Sequence, residues 1–332
     1  MKKILMLGMG GTIASEMTPE GLAPELTPEQ LLSYVPEISD FCIPDCRSLY
    51  SIDSTNITPQ HWIKTVQTLR DLYDQYDGFV ISHGTDTMAY TAAALSYMIQ
   101  GSEKPIILTG SQKPISFENT DSKINLLDAF ICAESGEIHG VNVVFNGRVI
   151  LGTRAKKSRS KSFQAFSSIN YPTIATVRNG HLMTYIKQDY LPEPLFYDKL
   201  DDNIGLLKLI PSPDFDLLEF LLKRKDAVII EGVGVGGLPS YEENRFHRLI
   251  QQYTQAGKFV VMTTQVQNEG SDLSVYSVGS PLSGQPNIME SLDMTTEAVL
   301  AKLMWILGQT RNPDTVRELF CRPVANDVFT RE

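Results

Sequence analysis

Six short apolar runs punctuate the chain, most of them ending in Gly, Ser or Thr: KKILMLGMGG, DGFVISHGT, KPIILTGS, VNVVFNG, DAVIIEGVGVGG and KFVVMTTQ. They are continuous rather than alternating, which suits strands buried on both faces of a parallel sheet. Helical patterns lie between them. Met88, Ala92, Leu95 and Ile99 recur at steps of four, three and four, which puts them on one helix face, and Gly101 offers a stop. The pattern predicts an α/β chain. Ligands of such sheets bind beyond the carboxyl ends of the strands, where the small polar residues of this sequence collect.

A chain of 332 residues is long enough for about two domains of ~150 residues each. Periodicity degrades between Asp189 and Pro213, a stretch with four prolines, and a connection is expected near residue 200. Two α/β domains, 1–190 and 211–332, joined by a linker (191–210) are expected. The second domain would hold strands at 226–231 and 258–262 and a closing helix, TTEAVLAKLMWILG. That helix is apolar on most sides, so it is expected either deep in the core or at a subunit contact. There is no internal repeat and no low-complexity tract.

Composition narrows the partners. Hydrophobic residues make up 42% and charged residues 20% of the chain, the balance of an ordinary globular protein rather than a disordered one. The richest apolar segment, AVLAKLMWIL, is interrupted by Lys302, so no stretch of the ~18 residues a membrane span needs is present. With 29 Lys+Arg against 39 Asp+Glu the net charge is -10, which opposes the counterion release that drives nucleic-acid binding. A small-molecule partner is expected, with no nucleic acid and no membrane. The start MKKILMLGMGG has too short an apolar part, Ile4 to Leu7, for a secretory signal; it reads as a first strand, and a cytoplasmic location is expected. Cys42, Cys46, Cys132 and Cys321 are too few for a disulfide framework, and a C-x-x-x-C pair without nearby histidines is poor zinc spacing. All four are expected as thiols, and no metal site is expected.

Four polar segments are candidates for chemistry. GMGGTIAS (8–15) follows the first strand, but Ile13 stands where a dinucleotide-binding loop needs its third small residue, and no acidic residue ends a second strand about 20 residues on. Its glycines can instead expose the Thr12 hydroxyl at the top of the sheet, as a nucleophile or as a cap. SHGTDT (82–87) places Thr85 and Asp86 at a strand end beside helix-terminal amides, for proton transfer and substrate holding, or for capping alone. A Ser82–His83 pair is disfavoured, because adjacent strand residues face opposite ways and no G-x-S-x-G elbow is present. GTRAKKSRSKS (152–162) carries five basic residues between Arg154 and Lys161, either a solvated surface or the source of a lysine that takes a threonine's proton. DST (Asp53, Ser54, Thr55) is a polar turn able to bind a carboxylate or an amine.

GMGGTIAS, DST, HGTDT, TGSQKP, the RAKK segment and MTTEAVLAKLMWILGQT stand in the order and spacing of the bacterial-type L-asparaginases. The chain resembles the cytoplasmic, type I members most, from Gly8 to about Gln309. The resemblance implies a larger N-terminal flavodoxin-like sheet domain and a smaller C-terminal parallel α/β domain. It also implies hydrolysis of L-asparagine to L-aspartate and ammonia, with no metal or organic cofactor. By it Thr12 is the nucleophile that forms a threonyl acyl-enzyme, and Thr85, Asp86 and Lys157 form the second catalytic group. Lys157 rather than Lys156 follows from the family pattern of Arg, two residues, Lys, which begins at Arg154. Asp86 would also hold the substrate α-amino group, the Asp53–Ser54–Thr55 turn its α-carboxylate, and Ser111 would line the amide pocket through its backbone. A homodimer or homotetramer with active sites near a subunit contact is implied too. One departure bears on activation of Thr12: the family carries a Tyr in the loop after the nucleophile, where PEGLAP has Leu22. Two alternatives accompany this reading. One is a non-catalytic asparagine-binding protein. The other is the glutaminase-like subunit of an archaeal-type Glu-tRNA amidotransferase, whose extra N-terminal domain has no room before Gly8.

Overall fold

The computed structural model describes residues 1–18, 21–274, 282, 285 and 287–329. It divides into two compact units, Met1–Asp198 and Lys199–Glu332.

The first unit runs β1 (Lys3–Gly10), β2 (Ser15–Thr18), β3 (Gly21–Pro24), α1 (Pro28–Ser33), β4 (Ile43–Ile52), α2 (Pro59–Leu72), β5 (Gly78–Ser82), α3 (Met88–Met98), β6 (Ile99–Gln100), β7 (Pro105–Thr109) and α4 (Ser122–Ser135). It continues through β8 (Gly140–Phe145), β9 (Arg148–Leu151), β10 (Ala155–Lys157), β11 (Phe166–Ser168), β12 (Ala175–Arg178), β13 (His181–Thr184) and β14 (Leu195–Phe196). Eight strands form one sheet in the order β13-β12-β9-β8-β7-β5-β1-β4. The five strands from β8 to β4 are parallel. Their order, second-first-third-fourth-fifth in the chain, is the flavodoxin-like one.

The sheet as a whole is mixed. Beyond β8 the chain returns as antiparallel β9, β12 and β13. Asn146 and Gly147 make the reversal with φ of 50° and 70°, the double positive φ that a two-residue hairpin turn requires. Ile4, Met6, Val80, Ile107 and Val144 face Leu126, Ala129 and Phe130 of α4 in one core layer. Alternate residues such as Phe79 point to the other face, where Tyr73 at the end of α2 stacks on it.

Local signals account for several boundaries. Thr27 and Gln30 form a reciprocal capping box ahead of α1, with Pro28 in its first turn. Met88, Ala92 and Leu95 are all buried in α3, but the helix ends at Met98, one residue short of the sequence expectation. Ile99 is drawn into β6, which pairs with β14. The β2–β3 hairpin aligns Leu22 with Met17, and the Leu22 side chain lies outside the described residues.

The second unit contains β15 (Ile204–Lys208), α5 (Phe215–Arg224), β16 (Ala227–Gly232), α6 (Tyr241–Gln255), β17 (Phe259–Thr264), β18 (Ile288–Glu290), α7 (Thr296–Gln309) and α8 (Pro313–Cys321). Among its described residues four strands form a parallel sheet in sequential order. β15 lies inside the stretch expected as linker; prolines follow it, and only Ile204, Gly205 and Leu207 of its five residues are buried, so its apolar signal is weak. α7, the apolar closing helix, is buried by its own chain from Glu297 to Leu307 apart from Leu300. Lys302 within it pairs with Asp327 at 2.7 Å, both side chains fully buried.

Candidate active site

Three loops at the carboxyl ends of β1, β4 and β5 meet, adjacent in the sheet and at the point where strand order reverses. Gly10 and Gly11 turn the chain out of β1 with φ of 83° and 80°, a region that side chains rarely adopt. The Gly11 amide donates to the Ile52 carbonyl at 3.1 Å. A Cβ on Gly11 would lie 2.3 Å from the Gly84 Cα, and one on Gly84 would lie 2.7 Å from the Ser54 Cβ. Glycine at both positions therefore lets the GMGGTIAS and SHGTDT backbones touch and seats the Ser54 side chain of the DST turn against Gly84. Thr87 Oγ1 donates to the Ser54 carbonyl at 2.7 Å and fastens the third loop to the second.

Thr12 opens a 3-10 turn, Thr12–Ala14, whose cap is Gly11 without any side-chain cap bond, so Thr12 does not serve as a cap. It is half-buried, and its hydroxyl has no hydrogen-bond partner among the described residues. Asp86 does not cap α3 either; Thr87 holds that position without a side-chain cap bond. Asp86 Oδ1 accepts instead from Lys157 Nζ at 2.5 Å. The same ammonium donates to Thr85 Oγ1 at 2.7 Å. Thr85 is buried, Lys157 largely so at 17% side-chain exposure, and Asp86 is open to solvent at 56%. Lys157 sits on β10, aligned with Phe166 of β11, and strand alternation turns Lys156 to the opposite face.

The remaining sequence candidates divide. Ser54 is buried between the loops, whereas Asp53 and Thr55 are exposed, and the Asp53 carboxylate accepts from the Thr55 amide and hydroxyl at 2.8 Å each. Asp53 thus shapes the turn. Ser111 is buried and its hydroxyl proton is spent on the Lys113 carbonyl, at 2.5 Å. His83 is fully buried, and burial pushes its imidazole down to about 4, so it is neutral. Trp62 Nε1 donates to Thr91 Oγ1 at 2.9 Å, Thr91 Oγ1 meets His83 Nε2 at 2.9 Å, and His83 Nδ1 donates to the Gly84 carbonyl at 2.6 Å. These bonds occupy both ring nitrogens, which removes His83 as a base for Ser82.

One participant is not foreseen from the sequence. Gln112 Oε1 accepts from Thr85 Oγ1 at 3.3 Å. It belongs to the TGSQKP motif, but nothing in a lone glutamine of a loop sets it apart from a solvated one. The cluster presents a hydroxyl, Thr85, between a cation and an amide oxygen, with a carboxylate on the same ammonium, on the loop whose Gly84 touches Gly11, the residue before Thr12. Such a set can move a proton from one hydroxyl toward an amine and hold a zwitterionic ligand. Among the described residues no three His, Cys, Asp or Glu are grouped to hold a metal ion, and no helix is long and apolar enough to cross a membrane.

Comparison with known proteins gives matches along both units. The family model "Asparaginase, N-terminal" matches residues 3–190, and "Glutaminase/Asparaginase C-terminal domain" matches residues 203–320. The L-asparaginase of Thermococcus kodakarensis is 38% identical over 328 residues, covering 98% of this chain and 99% of that protein. L-asparaginase 1 of Escherichia coli K12 is 34% identical over 339 residues, 98% of each chain. One glutamyl-tRNA(Gln) amidotransferase subunit of Pyrococcus abyssi is 32% identical over 348 residues, 100% of this chain and 78% of that one. The solved structure of the thermostable L-asparaginase from Thermococcus kodakarensis superposes with a TM-score of 0.93 at 37% identity, covering 99% of this chain and 100% of that one.

Proposed function

The chain belongs to the asparaginase family, and on that premise we propose that it is an L-asparagine amidohydrolase working through a threonyl acyl-enzyme at Thr12. The Thr12 hydroxyl oxygen attacks the side-chain amide carbon, the C–N bond breaks and ammonia leaves with the threonine's proton. Water then hydrolyses the ester to L-aspartate and restores Thr12. A threonine hydroxyl is a weak nucleophile without a base. In this reading Thr85 passes protons to Lys157 for the attack or for the deacylating water, and Asp86 steadies the lysine and receives the substrate α-amino group. The DST turn receives the α-carboxylate, through Ser54 above all, and the Ser111 backbone lines the amide pocket. No cofactor enters the reaction.

The observation that carries this reading is Lys157 Nζ at 2.7 Å from Thr85 Oγ1 and 2.5 Å from Asp86 Oδ1, on the loop whose Gly84 touches Gly11 beside Thr12. The test is ammonia release from L-asparagine and L-glutamine by the purified chain, with Thr12→Ala as control. Asparagine turnover that vanishes in the variant, while asparagine still raises its melting temperature, supports the reading. Turnover by the variant at the parental rate removes the nucleophile assignment. No turnover by the parent, with binding retained, gives the asparagine-binding alternative and turns attention to Leu22.

The similarity to the Pyrococcus abyssi amidotransferase protein favours a second reading, in which the same site releases ammonia from a carboxamide for a partner protein. A one-methylene difference is worth only about 1–3 kcal/mol in a pocket, so both amides are expected to react. A kcat/KM for glutamine equal to or above that for asparagine selects the second reading. A homodimer or homotetramer and a cytoplasmic location complete the proposal, the first checked by light scattering and the second by fractionation.

A further inference from the structure

We infer that Gln112 is a positioning residue that sets the direction of the Thr85 hydroxyl proton and so competes with Lys157 for it. The inference rests on the acyl-transfer reading above. The bond polarity follows from chemistry alone. The Ser162 carbonyl only accepts, so the Gln112 amide nitrogen must face it, at 3.2 Å. That leaves Oε1 toward Thr85, at 3.3 Å. A lysine ammonium only donates, and Lys157 Nζ approaches Thr85 Oγ1 at 2.7 Å. The one proton of Thr85 is therefore directed at Gln112.

Gln112 is anchored at both ends. Its backbone amide donates to both Asp121 oxygens, at 3.1 and 3.0 Å, and the Lys113 amide adds a third bond at 3.2 Å. Asp121 is buried, and it accepts from Asn125 Nδ2, which also donates to the Gly110 carbonyl at 2.9 Å. The backbone of Gln112 is thus fixed by Asp121 and its amide head by the Ser162 carbonyl.

A relay in which Lys157 acts as base needs the Thr85 proton to turn to a neutral Lys157 while Thr85 receives one from Thr12 or water. Gln112 holds that proton while Lys157 is charged, and gives it up when Lys157 is neutral. Its bond therefore favours the charged, resting form. Asp86 is the carboxylate bonded to Lys157. On the elements packed against it, β11 carries no titratable group and α3 brings only Tyr90 and Tyr97. Lys156 lies on the opposite face of β10, and Arg159 and Lys161 follow in the next segment.

The test is the pH profile of kcat for asparagine. Gln112→Met removes the acceptor and moves the acid limb to lower pH, by about half to one unit for a single hydrogen bond. Gln112→Glu places a carboxylate against the Thr85–Lys157 pair and moves the limb to higher pH. KM stays at the parental value in both and the melting temperature changes little, because Gln112 is half-buried and its backbone bonds to Asp121 remain while only the Ser162 anchor is lost. Opposite shifts support the inference, since a merely structural role would not reverse sign between the two variants. Unshifted limbs, or shifts in the same direction, with a normally active parent, overturn it alone. An inactive parent overturns the acyl-transfer reading and this inference with it.

Discussion

Gly11 and Gly84 are in backbone contact: a Cβ on Gly11 would fall 2.3 Å from the Cα and the amide nitrogen of Gly84. This contact joins the loop that bears Thr12 to the loop that bears Thr85 and Asp86. No flexible side chain separates them, so a methyl group there has no neighbour that can move aside. The φ of 80° at Gly11 adds a second penalty for any other residue.

Gly11→Ala is therefore expected to push the two loops apart. A misplacement of about 1 Å costs on the order of 100-fold in rate. Asparagine hydrolysis should fall by about that factor while the far-ultraviolet circular dichroism spectrum is kept. Parental turnover in the variant would show that the contact is not needed for the reaction.

Lys157→Met should lower kcat by at least about 100-fold, the usual contribution of a positioned proton acceptor. Lys157→Arg should not recover it, because a guanidinium keeps the charge beside Asp86 but does not give up its proton. Recovery by arginine would assign Lys157 a purely electrostatic role. Steady-state rates for the three proteins decide between these.

Asp128, buried on α4 and bonded by the Gly147 backbone, is pushed up to about 7 by burial, against an ordinary 3.8. The folded chain thus binds this proton more tightly than the unfolded one. Its stabilising contribution is complete below the ordinary value and is lost as pH rises to about 7. Asp128→Asn keeps the acceptor for Gly147 and cannot ionise. Its melting temperature relative to the parent should be more favourable at pH 8 than at pH 4, and a difference that does not change with pH would contradict the assignment.

In the second unit Lys302 and Asp327 form a fully buried ion pair, and Lys302 also donates to the Arg322 carbonyl at 2.8 Å. Burial depresses the lysine's affinity for its proton, against the pull of Asp327. Removing one partner strands the other charge, at about 3–5 kcal/mol. Lys302→Met should lose that much in denaturant unfolding, and adding Asp327→Asn should return part of it by leaving no buried charge. A double variant no more stable than the single one would argue that packing, not charge, dominates at this site.

Much of the fold is legible in the amino-acid order because its signals are local. Continuous apolar runs mark β1, β5, β7, β8, β16 and β17, and glycines with positive φ mark where the chain leaves β1. The antiparallel return after β8 is carried by Asn146–Gly147, a turn signal that the run VNVVFNG partly conceals when read only as a strand. β15 escapes sequence reading because it is only partly buried and followed by prolines. Spacing alone puts Ile99 on a helix face, and tertiary pairing with β14 overrides that preference.

The sequence by itself determined which chemical groups are present and which loops can be tight: Thr12 after two glycines, Thr85 and Asp86 after Gly84, and a lysine three residues past Arg154. Only the tertiary structure decided that Lys157 reaches Thr85 across 72 positions, that Gln112 takes the other side of that hydroxyl, that Asp53 Oδ1 bonds to Thr55 within its own turn, and that His83 is locked in the interior. The division has a physical reason. Backbone conformation answers to neighbouring residues, whereas a hydrogen bond between distant side chains depends on where the packed sheet carries them.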